Sequence, residues 1–206
     1  MHFSLLQTRT RGIDQFHQVT LLKKQINMKY LIISDIHGSY YYLNKALKVF
    51  RKEKCNKILI LGDVLYHGPR NDLPKQYAPK KIIPLLNELK DKIICVRGNC
   101  DAEVDQMVLN FPIRKGKEID DNIVAYLTHG HKINPQSPYK KKKVDVVLFG
   151  HSHIHEITNV DGVTYINPGS ISIPKGDKIN SYAIWENNTI SIYNLLTGDT
   201  LMKYTK

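Results

Sequence analysis

The stretch KYLIISDIHG, residues 29–38, joins an apolar strand to two potential metal ligands. Residues 30–34 have the length and the β-branched content of a buried strand. Asp35 and His37 follow directly, and in an extended segment this i, i+2 spacing points both side chains to the same side. Because open α/β sheets bind ligands at the carboxyl ends of their strands, the stretch predicts an α/β fold with a polar site at those ends.

Strands and helices alternate after this stretch. We predict helices over 41–52 and near 80–90, and strands over 57–61 and 92–96. After Phe111 the pattern changes to strands joined by short turns, at 122–128, 144–149, 154–160, 163–166, 181–186 and 189–194. A helix-covered sheet followed by a strand-rich half indicates two sheets packed face to face.

The length of 206 residues suits a single domain, which we assign to residues 28–206. Residues 1–27 show neither helical nor strand periodicity. We expect them to be a disordered extension or the product of a start site placed too far upstream, with an extra helix as the alternative. The longest apolar runs are only strand-sized, so no membrane span is expected.

The net charge and the cysteine content limit the classes of binding partner and the cellular compartment to be expected. The three cysteines form no CxxC pair, which favours a reducing, cytoplasmic location. The formal net charge of +11 favours phosphate-bearing partners, although most lysines are scattered over predicted helix faces. The run Lys140 to Lys143 is the exception, and it is either a solvated loop or a contact for nucleic acid or another anionic surface.

Four further predicted strands also end in polar residues. The segments are Leu61-Gly62-Asp63, Arg97-Gly98-Asn99-Cys100-Asp101, Thr128-His129-Gly130-His131 and Phe149-Gly150-His151-Ser152-His153. A lone Asp at a strand end is more often a turn residue or a helix cap, and lone histidines are often surface residues. Together, carboxylates and imidazoles without a thiolate pair suit Mn, Fe, Zn or Co better than a structural zinc.

In their order, the five motifs resemble the DxH, GD, GN(H or C), GH and GHxH pattern of the calcineurin-like metallophosphoesterases. The segment 62–71 and the Asn99-Cys100-Asp101 variant are similar to the small bacterial YfcE-type phosphodiesterases. The resemblance covers residue 28 to the C-terminal strands. It implies a four-layer α/β/β/α sandwich of two mixed β-sheets, and hydrolysis of a phosphodiester by a metal-bridging hydroxide.

The same resemblance implies two divalent metal ions and seven ligands. Asp35, His37 and His153 would hold the first ion, Asn99, His129 and His151 the second, and Asp63 would bridge them. We expect manganese, with iron, nickel, zinc and cobalt as alternatives. Asp63 would also serve catalysis by keeping the ions together, and Asn99 by adding a neutral oxygen that does not cancel their positive charge.

Three further residues are candidates for catalysis. In much of the superfamily a His thought to protonate the leaving group follows the ligand Asn, but here that residue is Cys100. A thiol is a weak donor with an unperturbed pKa of about 8.5, so we expect diesters with good leaving groups to be preferred. His131 or a metal-bound water would assist with others. Arg97 matches a position where related phosphatases use Arg on phosphate, with packing as an equal alternative.

Two other functions stay open. The superfamily includes Vps29, a largely structural, protein-binding subunit of retromer, so the fold alone does not establish catalysis. A nuclease attracted to nucleic acid by the positive charge is the other alternative, although it is not favoured. The expected partners are a small phosphodiester substrate and further copies of the chain in a homo-oligomer.

Overall fold

The structure is a computed structural model that describes residues 28–206. The expectations for residues 1–27 lie outside the described residues. The strands are β1 (Lys29–Ile33), β2 (Lys57–Ile60), β3 (Ile93–Val96), β4 (Ile113–Arg114), β5 (Lys117–Asp120), β6 (Val124–Leu127), β7 (Val146–Leu148), β8 (His155–Val160), β9 (Val163–Pro168), β10 (Ser181–Glu186), β11 (Thr189–Asn194) and β12 (Thr200–Thr205). The helices are α1 (Tyr40–Lys52), α2 (Pro79–Glu88) and α3 (Glu103–Val108), with a 3-10 turn at Lys90–Lys92.

The strands form two mixed sheets. The first has seven strands in the order β12-β11-β10-β1-β2-β3-β4, in which β1 to β4 are parallel and β10 to β12 antiparallel. The second has five strands in the order β5-β6-β7-β9-β8, with parallel pairs β6–β7 and β7–β9. The predicted α/β architecture of two mixed sheets is therefore confirmed.

Alternation along β1 explains how the layers pack. Leu31 and Ile33 join a core that also contains the apolar side of α1 and α2, whereas Tyr30 and Ile32 join the core between the two sheets. Both sets are buried, because the sheet is covered on both faces. Trp185 lies in the core between the sheets, with its ring centroid 4.8 Å from that of Tyr30.

Helix α1 has the periodicity that this packing needs. Its buried residues are Leu43, Ala46, Leu47 and Phe50, which recur at i, i+3, i+4 and i+7 on one side of the helix. Ser39 begins the helix, and its hydroxyl accepts a hydrogen bond from the Tyr42 N–H at 3.4 Å. The start of α1 is thereby held directly after the His37-Gly38 turn.

The outer face of the second sheet is covered differently. Its buried side chains, such as Val147 and Tyr165, pack against Ile133 and Tyr139. In the described part of the chain this cover is a loop between β6 and β7, where a fourth layer of helix was expected. The Tyr139 N–H donates to the Tyr165 hydroxyl at 2.8 Å, which fixes the loop to the sheet.

Several elements were not predicted from the sequence. These are β4, β5, β12 and α3, all of them short or lying at sheet edges with polar, partly exposed sequences. Their hydrophobic patterns are weak because only part of each faces a core. Within residues 28–206, no helix has the length and apolarity needed to cross a bilayer.

Candidate metal centre

The seven predicted ligands come from five loops that meet between the two sheets. The loops follow β1, β2, β3, β6 and β7, and they carry, in that order, Asp35 with His37, Asp63, Asn99, His129, and His151 with His153. Because these are carboxyl ends of parallel strands, the side chains converge on one edge of the sandwich. Sites assembled in this way combine residues that lie far apart in sequence.

Three buried histidines are held in one tautomer. Each has Nδ1 at a backbone carbonyl oxygen, in the pairs His37–Tyr66 (2.8 Å), His129–Leu61 (2.7 Å) and His153–Ile173 (2.8 Å). Since a carbonyl oxygen only accepts, Nδ1 must carry the proton and donate. Each Nε2 then directs a lone pair into the site, which is the tautomer that binds metals.

The first group of ligands consists of Asp35, His37 and His153. It brings hydrogen-bond acceptors together without a donor between them. His37 Nε2 and His153 Nε2 are 3.2 Å apart, and Asp35 Oδ1 lies 3.3 Å from His153 Nε2 and 3.7 Å from His37 Nε2. Asp35 Oδ1 is buried and has no hydrogen-bond partner within residues 28–206. Buried carboxylate oxygens are rarely left unpaired. Protons on the imidazoles or a metal cation must supply the missing positive charge.

Asp63 connects this group to a second one. Its Oδ2 lies 3.6 Å from His37 Nε2 and 3.3 Å from His129 Nε2, while His129 Nε2 is 3.0 Å from Asn99 Oδ1. Burial lowers the pKa of His129, but the carboxylates of Asp63 and Asp35 outweigh burial and raise that pKa to about 9. The second group therefore also attracts a cation, and Asp63 is placed to share it.

His151 borders the second group. The backbone N–H of His151 donates to Asp35 Oδ2 at 3.1 Å, and the ring centroid of His151 is 5.2 Å from that of His129. Burial and the nearby His129 lower the pKa of His151, which keeps its imidazole neutral and able to act as a ligand. The structure thus brings all seven predicted ligands to one site, and their donor set of imidazole, carboxylate and amide fits divalent Mn, Fe, Zn or Co.

The backbone at the ligands is left-handed rather than extended. The φ angles are +53° at Asp35, +46° at His37, +54° at Asp63, +70° at His151 and +62° at His153. The expectation that i, i+2 pairs converge because the segments are extended was therefore wrong in its reason, although the pairs do converge. Each such residue costs roughly 1–2 kcal/mol, so surrounding contacts must hold the loops in place.

Asp101 supplies one of these contacts. Its carboxylate accepts the N–H groups of Asp63 (2.9 Å), Val64 (2.8 Å) and Gly98 (2.7 Å). Two ligand loops are thereby joined by one side chain. Asp101 therefore orients the loops that carry Asp63 and Asn99.

Two serines supply another contact. The hydroxyls of Ser170 and Ser172 both donate to the Asp35 carbonyl oxygen, at 2.8 and 2.9 Å. Asn167 Nδ2 donates to the Gly150 carbonyl oxygen at 2.9 Å, next to His151. Sequence analysis did not assign Ser172 or this bonding role, since Asn167-Pro168-Gly169-Ser170 has the composition of an ordinary turn. Its position after a strand end was the available signal.

The three candidate catalytic residues occupy different positions. Cys100 lies beside the ligands, its Sγ accepts from Asn99 Nδ2 at 3.3 Å, and burial together with Asp63 raises the pKa of its thiol to about 12. His131 is exposed, with its ring centroid 5.5 Å from that of His129. Arg97 is half-buried, and its Nε is buried without a hydrogen-bond partner in the described chain. Cys100 lines the site cavity described next, whereas Arg97 and His131 do not.

An open cavity of about 700 Å³ lies over the ligands, and we call it the site cavity. Its floor includes His37, Asp63, Asn99, Cys100, His151 and His153, and its walls include Tyr66, Gly68, Pro69, Arg70, Asn71, Ala102 and Lys175. A volume of this size accommodates a small organic molecule together with a phosphoryl group.

Gly98 offers a test of how the ligands are packed. A Cβ at this position would overlap Asp63 Oδ1, although the φ of Gly98 lies outside the left-handed region. We expect Gly98→Ala to displace the Asp63 carboxylate and to weaken Mn²⁺ binding about tenfold or more, as measured by isothermal titration calorimetry.

The control is Gly162→Ala, at the tip of the β8–β9 hairpin. Gly162 has a φ of +81°, but a Cβ there would meet nothing within 4 Å. This variant should lose some stability through backbone strain and keep its Mn²⁺ affinity. An unchanged Mn²⁺ affinity in a folded Gly98→Ala protein would contradict the assignment of Asp63 as a ligand.

The sequence and the fold are similar to those of known proteins. A family model described as the calcineurin-like phosphoesterase superfamily domain matches residues 28–189. Phosphodiesterase YfcE of Escherichia coli is 42% identical over 170 residues, which cover 82% of this chain and 92% of YfcE. A solved structure of YfcE, a phosphoesterase from E. coli, has a TM-score of 0.83 and 40% identity, covering 86% of this chain and 99% of that one.

Vps29 of Cryptosporidium parvum shares the fold. Its structure has a TM-score of 0.60 at 16% identity, covering 87% of this chain and 99% of that one. This similarity concerns fold alone, whereas the match to the family model and the identity to YfcE extend over most of the sequence. The chain belongs to the calcineurin-like phosphoesterase superfamily.

Proposed function

We propose that the chain is a phosphodiesterase that works with two divalent cations, held by the seven ligands described above. The observation that carries the proposal is the convergence of imidazole Nε2 atoms around Asp35 Oδ1 and Asp63 Oδ2 at the floor of an open cavity. The similarity to a phosphodiesterase over most of both chains supports it.

The protein residues prepare this site for phosphoryl chemistry. Bound divalent cations would supply a strong nucleophile from water and would offset charge on the phosphoryl oxygens. The Nδ1–carbonyl hydrogen bonds keep His37, His129 and His153 ready as ligands. Asn99 adds a neutral oxygen, which does not cancel the positive charge that stabilises the transition state.

The leaving group receives little help from Cys100. The raised pKa of its thiol, about 12, means that the thiol stays protonated at neutral pH but gives up that proton reluctantly. We therefore propose a preference for diesters with acidic leaving groups. His131 is an exposed residue beside His129, and the partial burial of its ring together with the nearby His129 lowers its pKa. We propose it as the group that assists with other substrates.

Several finer assignments belong to the same proposal. Manganese suits a donor set of nitrogen and oxygen, with iron, nickel, zinc and cobalt as alternatives. The three free cysteines support a cytoplasmic location. A homo-oligomer is supported by the apolar side chains that α3 exposes, namely Val104, Met107 and Val108. A role for Arg97 on phosphate would require its guanidinium to reach the site cavity.

The alternative functions have less support. A binding role like that of Vps29 would not require seven intact ligands beneath an open cavity. For a nuclease, the exposed Lys140 to Lys143 run is the relevant feature, and Lys142 there already pairs with Glu118 at 3.4 Å. The ligand set therefore favours catalysis on a small diester.

Removal of the shared carboxylate tests the proposal. We expect Asp63→Ala to lower Mn²⁺-dependent hydrolysis of bis(4-nitrophenyl) phosphate at least about a hundredfold, because both cation positions lose a ligand. Chelation of the metal should abolish the wild-type rate. Asp120→Ala, which removes an exposed carboxylate of β5, is the control and should keep the rate. Hydrolysis by Asp63→Ala at near wild-type rate would disprove the proposal.

A substitution at Cys100 tests whether its thiol is a poor proton donor to the leaving group. Cys100→His should accelerate hydrolysis of an alkyl diester at least about tenfold more than that of an aryl diester, because only the alkoxide needs a proton on departure. Cys100→Ser, a hydroxyl of similar size, serves as the control. The measurement is the ratio of kcat/KM on the two diesters, and an unchanged ratio in Cys100→His would refute this explanation.

A further inference from the structure

Two cationic side chains stand in the wall of the site cavity without a role in holding the ligands. Arg70 belongs to the loop between β2 and α2, and Lys175 to the loop between β9 and β10. Both residues are exposed, and neither has an ion-pair partner within residues 28–206. Unpaired charges of like sign that line one cavity attract an anion between them.

The backbone of each cation is anchored. Arg70 lies within a turn closed by the Asn71 N–H, which donates to the Gly68 carbonyl oxygen at 3.4 Å, and by Asn71 Nδ2, which donates to the His67 carbonyl oxygen at 2.8 Å. The Lys175 N–H donates to the carbonyl oxygen of His153 at 3.0 Å. The backbone from which each cationic side chain extends is thereby held relative to the ligand loops.

The carboxylates of the site cavity do not neutralise these cations. Asp63 is shared between the two groups of metal ligands, and Asp101 is occupied by three backbone N–H groups. No other acidic residue lines this cavity in the described chain. The upper part of the cavity therefore carries a positive potential, and anions are concentrated there.

Depth separates these cations from the reacting phosphoryl group. His37, Asp63 and His153 are buried at the floor, whereas Arg70 and Lys175 are exposed. Between them the wall offers Tyr66, whose side chain is 42% exposed, and Pro69. A substrate bound with its phosphoryl group at the floor would lay its carbon skeleton on this surface and direct its far end toward the cations.

We infer that Arg70 and Lys175 form a subsite for a second anionic group, so that the preferred substrate is a phosphodiester whose alcohol carries a carboxylate or a phosphate. This inference rests on the proposed function and names the substrate class for the same site. Guanidinium and ammonium groups bind both kinds of anion, and Arg does so with two parallel hydrogen bonds.

The test compares two 4-nitrophenyl phosphodiesters that differ only in charge. One carries a 4-carboxybutyl group and the other its uncharged 4-carbamoylbutyl counterpart, and both release 4-nitrophenolate. With the full chain and Mn²⁺, we expect kcat/KM to be about five- to tenfold higher for the carboxylate, with a smaller preference at high salt. A 4-phosphonobutyl diester shows whether a dianion is preferred over a carboxylate.

The double variant Arg70→Gln/Lys175→Gln should reduce this preference to less than about twofold. The control is Lys48→Gln/Arg51→Gln on α1, which removes the same charge from two exposed residues outside the cavity and should keep the preference. If kcat/KM of Arg70→Gln/Lys175→Gln, the cavity variant, fell equally on both diesters, the ratio would be unchanged. That result would overturn the inference, since the cations would then act on the scissile phosphoryl group. A wild-type ratio near one would overturn it as well.

A binding measurement separates this inference from the proposed function. 5-Phosphonopentanoate and 5-phosphonopentanamide are not hydrolysed, and their Kd values on the Mn²⁺-loaded protein are obtained by calorimetry. Tighter binding of the carboxylate that is lost in the cavity variant, without turnover of any diester, would support the subsite and refute the phosphodiesterase. Equal Kd values for the two ligands, together with rapid turnover of the diesters, would refute the subsite and support the phosphodiesterase.

Discussion

Repulsion between the lone pairs of Asp35, His37 and His153 is the constraint on which the rest of the site depends. These acceptors stand within 3.7 Å of one another, and their neighbours donate nothing into the space between them. Hydrogen bonds from Nδ1 to backbone carbonyl oxygens prevent the imidazoles from resolving the conflict by a change of tautomer. Positive charge from a metal cation or from protons on Nε2 is the remaining solution, and Asp63 extends the same arrangement to His129 and Asn99.

The two-sheet core offsets the free-energy cost of this arrangement. Left-handed backbone at five ligands is unfavourable in isolation, yet each loop begins where a largely buried strand ends. The core between the sheets, which includes Ile32 and Leu148, sets the distance across which the loops meet. Hydrogen bonds from Asp101 and from the Ser170 and Ser172 hydroxyls then fix the loops individually. Scaffold and site are thus coupled through a few backbone carbonyl and N–H groups.

Residue types at strand ends were readable from the sequence, whereas backbone conformation was not. Apolar runs located the strand ends near Asp35, His129 and His153, and the resemblance to the metallophosphoesterase pattern implied that these residues are ligands. The roles of Asp101 and Ser172 depend on N–H and carbonyl groups brought close by tertiary folding, for which sequence spacing holds no signal. Edge strands such as β12 were missed because a half-exposed strand has a weak pattern. Arg70 and Lys175 lie in loops whose approach to the ligands is set by folding alone.

Crystals grown with Mn²⁺ test the central claim most directly, through anomalous scattering from the metal. The account predicts two anomalous peaks about 3.5–4 Å apart, one beside Asp35, His37 and His153, the other beside Asn99, His129 and His151, with Asp63 contacting both. A single peak, or peaks away from these side chains, at saturating Mn²⁺ would contradict it.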